Sequence, residues 1–274
     1  MAKLVIGNNK TVGVPVITKE VEKLPALGLL RAKDANGKLV NSTTESQIID
    51  FTGVTDVGGY MLANAYNQNT AISGVVDMSD LTTLSGDYAC NSMFNGCTGI
   101  TSVDMSSLTT VSGSNACNSM FSNCTGIMSV NLSSLTTLSS SYAFGYVFFG
   151  CTGLTTVDLS SLTAITGNQA CNTTFRGCTG LTSVDLSSLT AITGNQACNY
   201  MFQNCTSLTT VRIGNTTAID FGTRTNQFGS MFYGCTQNID VYAPAANQTA
   251  IEAMSGYPNF GATGNVVWHW NTAE

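Results

Sequence analysis

The sequence predicts an α/β solenoid of about eight coils, and three observations carry that reading. Cys97, Cys124, Cys151, Cys178 and Cys205 recur at a spacing of 27 residues, and the step from Cys205 to Cys235 is three positions longer. The unit Cys-Thr-Gly-Leu-Thr-Thr-Val-Asp-Leu-Ser-Ser-Leu-Thr-Ala-Ile-Thr-Gly-Asn-Gln-Ala-Cys-Asn beginning at Cys151 returns at Cys178 with Ser183 in place of Thr156. Each unit also holds a stretch such as Leu154-x-x-Val157-x-Leu159, whose alternation turns Val157 and Leu159 inward on a strand. One such unit cannot bury its apolar face alone, so the copies must stack.

Residues 1–44 stand apart from the repeats. Positions 1–38 hold seven bases and three acids, positions 39–274 hold three bases and 13 acids, and no lysine follows Lys38. Short β-like runs occur at Leu4–Ile6, Val12–Ile17 and Leu27–Ala32, and Asp34-Ala35-Asn36-Gly37 before Leu39 and Val40 reads as a hairpin turn. The segment is too small for a core of its own, so it is expected to attach to the first coil or to another protein.

The solenoid is placed at residues 45–245. Stepping by the repeat gives strand positions near 48–51, 75–78, 101–105, 128–132, 155–159, 182–186, 209–213 and 239–242. Parallel strands about 4.8 Å apart would make this sheet roughly 35–40 Å long. Ile165 continues the core, and Cys171 to Phe175 is expected to form a short helical turn on the outer side. Residues 246–274 are assigned as a C-terminal cap, in which Val266-Val267-Trp268-His269-Trp270 forms a last strand over the open end of the core.

Composition excludes several classes. Only 9% of residues are charged and the formal net charge is −6, which argues against nucleic acid, whose phosphates require clustered Lys and Arg. No stretch reaches the ~20 apolar residues of a membrane helix. The start at Met1 shows no signal-peptide core, so folding in a reducing cytoplasm is expected. The ten cysteines then read as core residues. Cys90, Cys117, Cys171 and Cys198 share a slot with Phe144 and Phe228, and a slot that accepts Cys or Phe is apolar and buried. Paired short spacings suited to zinc are missing from the sequence. Met93, Met120 and Met201 recur at core spacing, as do Phe94, Phe121, Phe148, Phe175, Phe202 and Phe232.

The segments Met93-Phe94-Asn95-Gly96-Cys97, Met120-Phe121-Ser122-Asn123-Cys124 and Met201-Phe202-Gln203-Asn204-Cys205, each followed by a Val-Asp-Leu-Ser-Ser-Leu-type strand, or by Val211-Arg212-Ile213 after the last, resemble the BspA-like leucine-rich repeat family. The resemblance covers about residues 46–245. It implies a curved leucine-rich repeat solenoid and, in the family, surface-exposed bacterial proteins of adhesion or host interaction. The opening Gly7-Asn8-Asn9-Lys10-Thr11-Val12-Gly13-Val14-Pro15 is similar to the starts of leucine-rich repeat proteins carried by gut phages and prophages.

The residues expected to make contacts form two columns on the exposed, concave strand face. Asp77, Asp104, Asn131, Asp158, Asp185 and Arg212, with Asp50 before them, share one slot. Ser102, Ser129, Thr156, Ser183 and Thr210 share the slot beside it. Stacked carboxylates repel by roughly 1 kcal/mol per pair at high dielectric, so either a cation such as calcium or hydrogen bonds in Asx-type turns must offset them. No other cofactor is expected. His269 is the one histidine, no Ser or Cys stands out beside it as a nucleophile, and the repeat offers no distinctive carboxylate pair for glycoside hydrolysis. The expected function is therefore non-enzymatic: a phage virion fibre, decoration or tail protein, with a bacterial surface or secreted adhesin as the alternative. Residues 1–44 would meet other virion or surface proteins, the solenoid would meet a host or mucosal glycan or protein, and self-association is compatible with both.

Overall fold

A computed structural model describes residues 32–33, 39–40, 54–60, 62–223 and 225–272. In chain order β1 (Ala32–Lys33) and β2 (Leu39–Val40) come first. Then follow β3 (Ser73–Asp77), β4 (Thr83–Leu84), β5 (Gly99–Asp104), β6 (Thr110–Val111), β7 (Ser129–Asn131) and β8 (Thr137–Leu138). The later strands are β9 (Thr156–Asp158), β10 (Ala164–Ile165), β11 (Ser183–Leu186), β12 (Ala191–Ile192), β13 (Thr210–Ile213), β14 (Ile239–Pro244) and β15 (Val266–Asn271). One short α-helix, α1 (Gln248–Glu252), lies between the last two strands.

β1 and β2 pair antiparallel, Ala32 with Val40 and Lys33 with Leu39, the pairing that the Asn36-Gly37 turn predicts. The three β-like runs of residues 4–32 lie outside the described residues, apart from Ala32, as does the first strand position near 48–51 with Asp50. The other seven predicted strand positions are all strands, in parallel register. They form two sheets that follow one another, in the orders β3-β5-β7-β9 and β11-β13-β14-β15. The predicted terminal strand is β15. It does more than cover the core end, because it pairs parallel with β14 along its whole length and adds another rung to the sheet. Trp268 and Trp270 stack on each other at 5.5 Å and are half-buried against the core.

Each coil holds a second ladder that the strand pattern did not reveal. The two-residue strands β4, β6, β8, β10 and β12 stack in parallel, so Ile165 lies between Leu138 and Ile192. All three are buried.

The third side of the coil is not helical. Between Gln169 and Cys178 the N–H groups alternate between two kinds of acceptor. Those of Gln169, Cys171, Thr173, Phe175 and Gly177 donate to carbonyls of the next coil, at 2.7 to 3.0 Å. Those of Ala170, Asn172, Thr174, Arg176 and Cys178 donate to the carbonyl three residues back. The result is a ribbon of overlapping tight turns in which every fourth residue has positive φ: Gln169 (+53°), Thr173 (+61°) and Gly177 (+74°). An α-helix would use all these N–H groups within its own coil and leave none to join neighbours. The ribbon also explains why the residue before each unit-opening cysteine is Gly96, Asn123, Gly150, Gly177, Asn204 or Gly234. All have φ between +57° and +75°, where Gly and Asn are the least strained residues.

The core threads all coils. Tyr66, Phe94, Phe121, Phe148, Phe175, Phe202 and Phe232 form one column of stacked rings, with centroids 5.3 to 6.0 Å apart. Beside it each unit-opening thiol donates to the carbonyl of the aromatic residue one coil back. Cys124 Sγ reaches Phe94 O at 2.9 Å, and Cys151 Sγ reaches Phe121 O at 3.1 Å. A small residue with a weak donor fits this slot, and a larger apolar one would leave the carbonyl short of a partner. All ten cysteines are free and buried. Burial pushes their thiols up from 9.0, to about 12 at Cys151 and Cys198 and to about 11 at Cys97 and Cys235.

In the native protein the ten thiols should therefore be almost inert to a disulfide reagent near pH 8, and all should react after denaturation, because the thiolate is the nucleophile. Each thiol also holds its proton more tightly in the fold than in the unfolded chain. Stability should be full below pH ~9 and fall as pH rises beyond it, through about 11 for Cys97 and Cys235 and about 12 for Cys151 and Cys198. Rapid modification of several thiols in the native state would contradict this packing.

Candidate binding face

The exposed face of the long sheet is built by alternation. In β11, Val184 and Leu186 are buried while Ser183 and Asp185 are exposed, and the parallel register carries this order from coil to coil. Ser102, Ser129 and Thr156 align across β5, β7 and β9, with Asp104, Asn131 and Asp158 two residues on. Asp77 precedes this second column, opposite Asp104. In the following sheet Ser183 and Thr210 align, and so do Asp185 and Arg212. Eleven of the twelve residues singled out from the sequence, all but Asp50, thus stand on one face, as two adjacent columns.

The acidic column is tied to its own backbone. Oδ1 of Asp77, Asp104, Asp158 and Asp185 accepts the N–H of the residue two ahead (Ser79, Ser106, Ser160 and Ser187) at 2.8 to 3.0 Å. Asn131 Oδ1 accepts from Ser133 N–H in the same way, at 3.1 Å. These Asx turns end each strand and start the bend toward the short second ladder. A neutral amide oxygen suffices for the bond, which is why Asn131 fits the slot.

The column changes character at its C-terminal end. The Arg212 guanidinium lies over the Tyr242 ring, 4.6 Å from its centroid, and Tyr242 in turn stacks on His269 with centroids 4.6 Å apart. His269 Nε2 is 2.8 Å from Asp240 Oδ1. Register explains the cluster: Arg212 is opposite Tyr242, and Tyr242 opposite His269. Asp240 occupies the Ser/Thr column, opposite Thr210. The His269–Asp240 pair is 41% and 52% exposed, so solvent screens it and it contributes little to stability. The sequence reading placed strands near 239–242 and at 266–270 but did not carry the columns into them, so Tyr242, Asp240 and His269 were missed as column members. The longer step, already visible between Cys205 and Cys235, would have found them.

Among the described residues no three His, Cys, Asp or Glu side chains converge as a metal cage, and no helix is long and apolar enough to cross a membrane. Fold and face together define a repeat solenoid whose exposed sheet carries a hydroxyl column beside a mainly carboxylate column and ends in a stacked Arg-Tyr-His group. The model of the BspA type leucine-rich repeat region matches residues 55–146 and 90–239 in six copies, so the chain belongs to that leucine-rich repeat family. Among solved structures it is similar to a leucine-rich repeat protein from Bacteroides ovatus ATCC 8483, at 19% identity and TM-score 0.38 over 78% of this chain. It spans about half, 53%, of that protein's chain. It is also similar to the T. pallidum leucine-rich repeat protein TpLRR, at 16% identity and TM-score 0.31, covering 86% of this chain and 89% of the other. No curated protein matches the chain.

The Asx turns make a direct prediction. Asp158→Asn should leave the midpoint of urea unfolding nearly unchanged, because Asn131 already makes the same bond. Asp158→Ala should cost about 0.5–1.5 kcal/mol through the lost bond to Ser160 N–H. Equal losses from the two changes would show that the negative charge itself is needed.

Proposed function

We propose that the chain is a non-enzymatic attachment protein, a phage virion component of the fibre, decoration or tail type. Residues 1–44 join it to other virion proteins, and the solenoid contacts a glycan or protein on a host or mucosal surface. The observation that carries the binding part is the exposed face itself. Its carboxylates are held by their own backbone N–H groups, so a preorganised surface of hydroxyls beside a fixed column of carboxylates faces a partner, with the Arg212–Tyr242–His269 stack at one end. Preformed surfaces bind with less loss of side-chain freedom. The family is typically one of non-enzymatic binding proteins, and the one His–Asp pair on this face has no hydroxyl or thiol nucleophile bonded to the imidazole. The attachment part is supported by the segregation of basic charge into positions 1–38.

No cofactor enters this reading, so thermal melting with added calcium and with chelator should coincide. The location is tested by mass spectrometry of density-gradient fractions from the producing culture. Co-migration with intact phage particles is expected, and a chain lacking residues 1–44 should fold but fail to enter particles. Recovery in cell envelopes with none in particles would replace the virion reading with that of a bacterial adhesin.

A further inference from the structure

The exposed face is built from two sheets, and the break between them falls at β9 and β11. Every other pair of neighbouring long strands from β3 to β15 is bonded. The slot just before each strand shows what differs here. Met128, Thr155 and Thr209 donate N–H to Thr101 O, Met128 O and Thr182 O at 2.9 to 3.0 Å, one coil back in each case. The hydroxyls of Thr155 and Thr209 donate to the same carbonyls at 3.0 and 3.2 Å. Thr182 holds this slot before β11, and among the described hydrogen bonds neither its N–H nor its hydroxyl reaches Thr155 O. Packing loosens at the same place. Val103, Val130, Val184 and Val211 are at most 3% exposed, while Val157 of β9 is only half-buried.

The other two sides of this junction are closed. β10 and β12 pair, with Ile165 opposite Ile192. On the turn ribbon Cys171 N–H donates to Ala197 O at 2.8 Å and Phe175 N–H to Met201 O at 2.9 Å. Inside, Phe175 and Phe202 stack at 5.7 Å. Two bonded sides and one open side are the geometry of a hinge. The residues do not forbid closure, since residues 151–172 return at 178–199 with one change and both strands pair with their outer neighbours. On an exposed face the unpaired main-chain groups bond to water instead, so open and closed forms differ little in free energy.

Charge explains why the strands part here. Asp158 and Asp185 are consecutive carboxylates of one column, and such neighbours repel. At the bonded junctions Asn131 separates Asp104 from Asp158, and Arg212 follows Asp185. The other consecutive pair, Asp77 and Asp104, lies where the register between β3 and β5 shifts.

We propose that the β9–β11 junction is a hinge, opened by repulsion between Asp158 and Asp185, with the short ladder and the turn ribbon as its pivot. The columns within each half stay fixed, and the angle between the halves varies. A partner lying across both halves selects one angle. That last step rests on the reading of this face as a binding surface. The hinge itself does not, and it is tested without a partner.

Amide exchange on the full chain, resolved by residue, reads the open side. Thr182 N–H should exchange roughly a hundredfold faster than the N–H groups of Thr155 and Thr209, its counterparts one coil before and one coil after. Asp158→Asn, which removes the repulsion and keeps the Asx turn, should slow Thr182 and leave Thr155 and Thr209 unchanged. Spin labels on Ser102→Cys and Thr210→Cys, one in each half, read the motion, and the native thiols do not compete because all are buried. The distance between the labels should be broadly distributed, and narrowly so once Asp158→Asn is added. Equal protection of Thr182, Thr155 and Thr209 would mean a continuous sheet and overturn the hinge. Fast exchange at Thr182 with one narrow label distance would also overturn it, because the break would then be static. Exchange at Thr182 that Asp158→Asn leaves unchanged would overturn the charge-driven opening.

Discussion

The structure depends on main-chain hydrogen bonds between coils on all three sides. A single coil has no core of its own, and what it buries it buries against the coil before and the coil after. The exposed sheet and the short inner ladder each supply parallel strand pairing. The turn ribbon supplies the third set by giving alternate N–H groups to the next coil and the rest to its own carbonyls. Because every rung repeats the same geometry, side chains at one slot form a column. A stacked aromatic column, a thiol column and an Asx-turn column all follow from that one constraint.

The same constraint accounts for the composition. An interior closed on three sides by backbone takes one stacked aromatic ring in every rung, 5.3 to 6.0 Å from the next, and a second where Phe144 or Phe228 stands in the cysteine slot. The cysteine beside each ring is there for size and for a weak donor, and its burial makes it inert instead of reactive. Outside, carboxylates stacked at strand spacing would repel, and the structure meets this by giving each an N–H of its own strand end. A repeating surface is therefore uniform by default, and departures from uniformity are where specificity can arise. One such departure stands out, the Arg212–Tyr242–His269 stack.

Much of this was legible in the sequence. The step between unit-opening cysteines located every described long strand except β15, together with the two exposed columns up to Arg212 and the buried Cys, Met and Phe slots. The outer side was misread for a physical reason. Cys171, Thr174, Phe175 and Cys178 fall at i, i+3, i+4 and i+7, the apolar spacing of a helix face, but a turn ribbon that repeats every four residues presents the same spacing. The distinguishing mark was the Gly or Asn before each unit-opening cysteine, which a continuing helix would not favour. The end of the binding face was missed because the columns were not carried past Arg212 with the longer step already seen between Cys205 and Cys235.

Amide hydrogen exchange, resolved by residue, tests the three-sided stack most directly. The N–H groups of Cys171, Thr173 and Phe175 donate to the next coil, so they should be protected to the same extent as those of Val184 and Leu186 in the sheet. Their protection should also be lost in the same cooperative step. Fast exchange along residues 169–177 while the sheet stays protected would mean that the ribbon does not join the coils, and the account of how this solenoid holds together would fail.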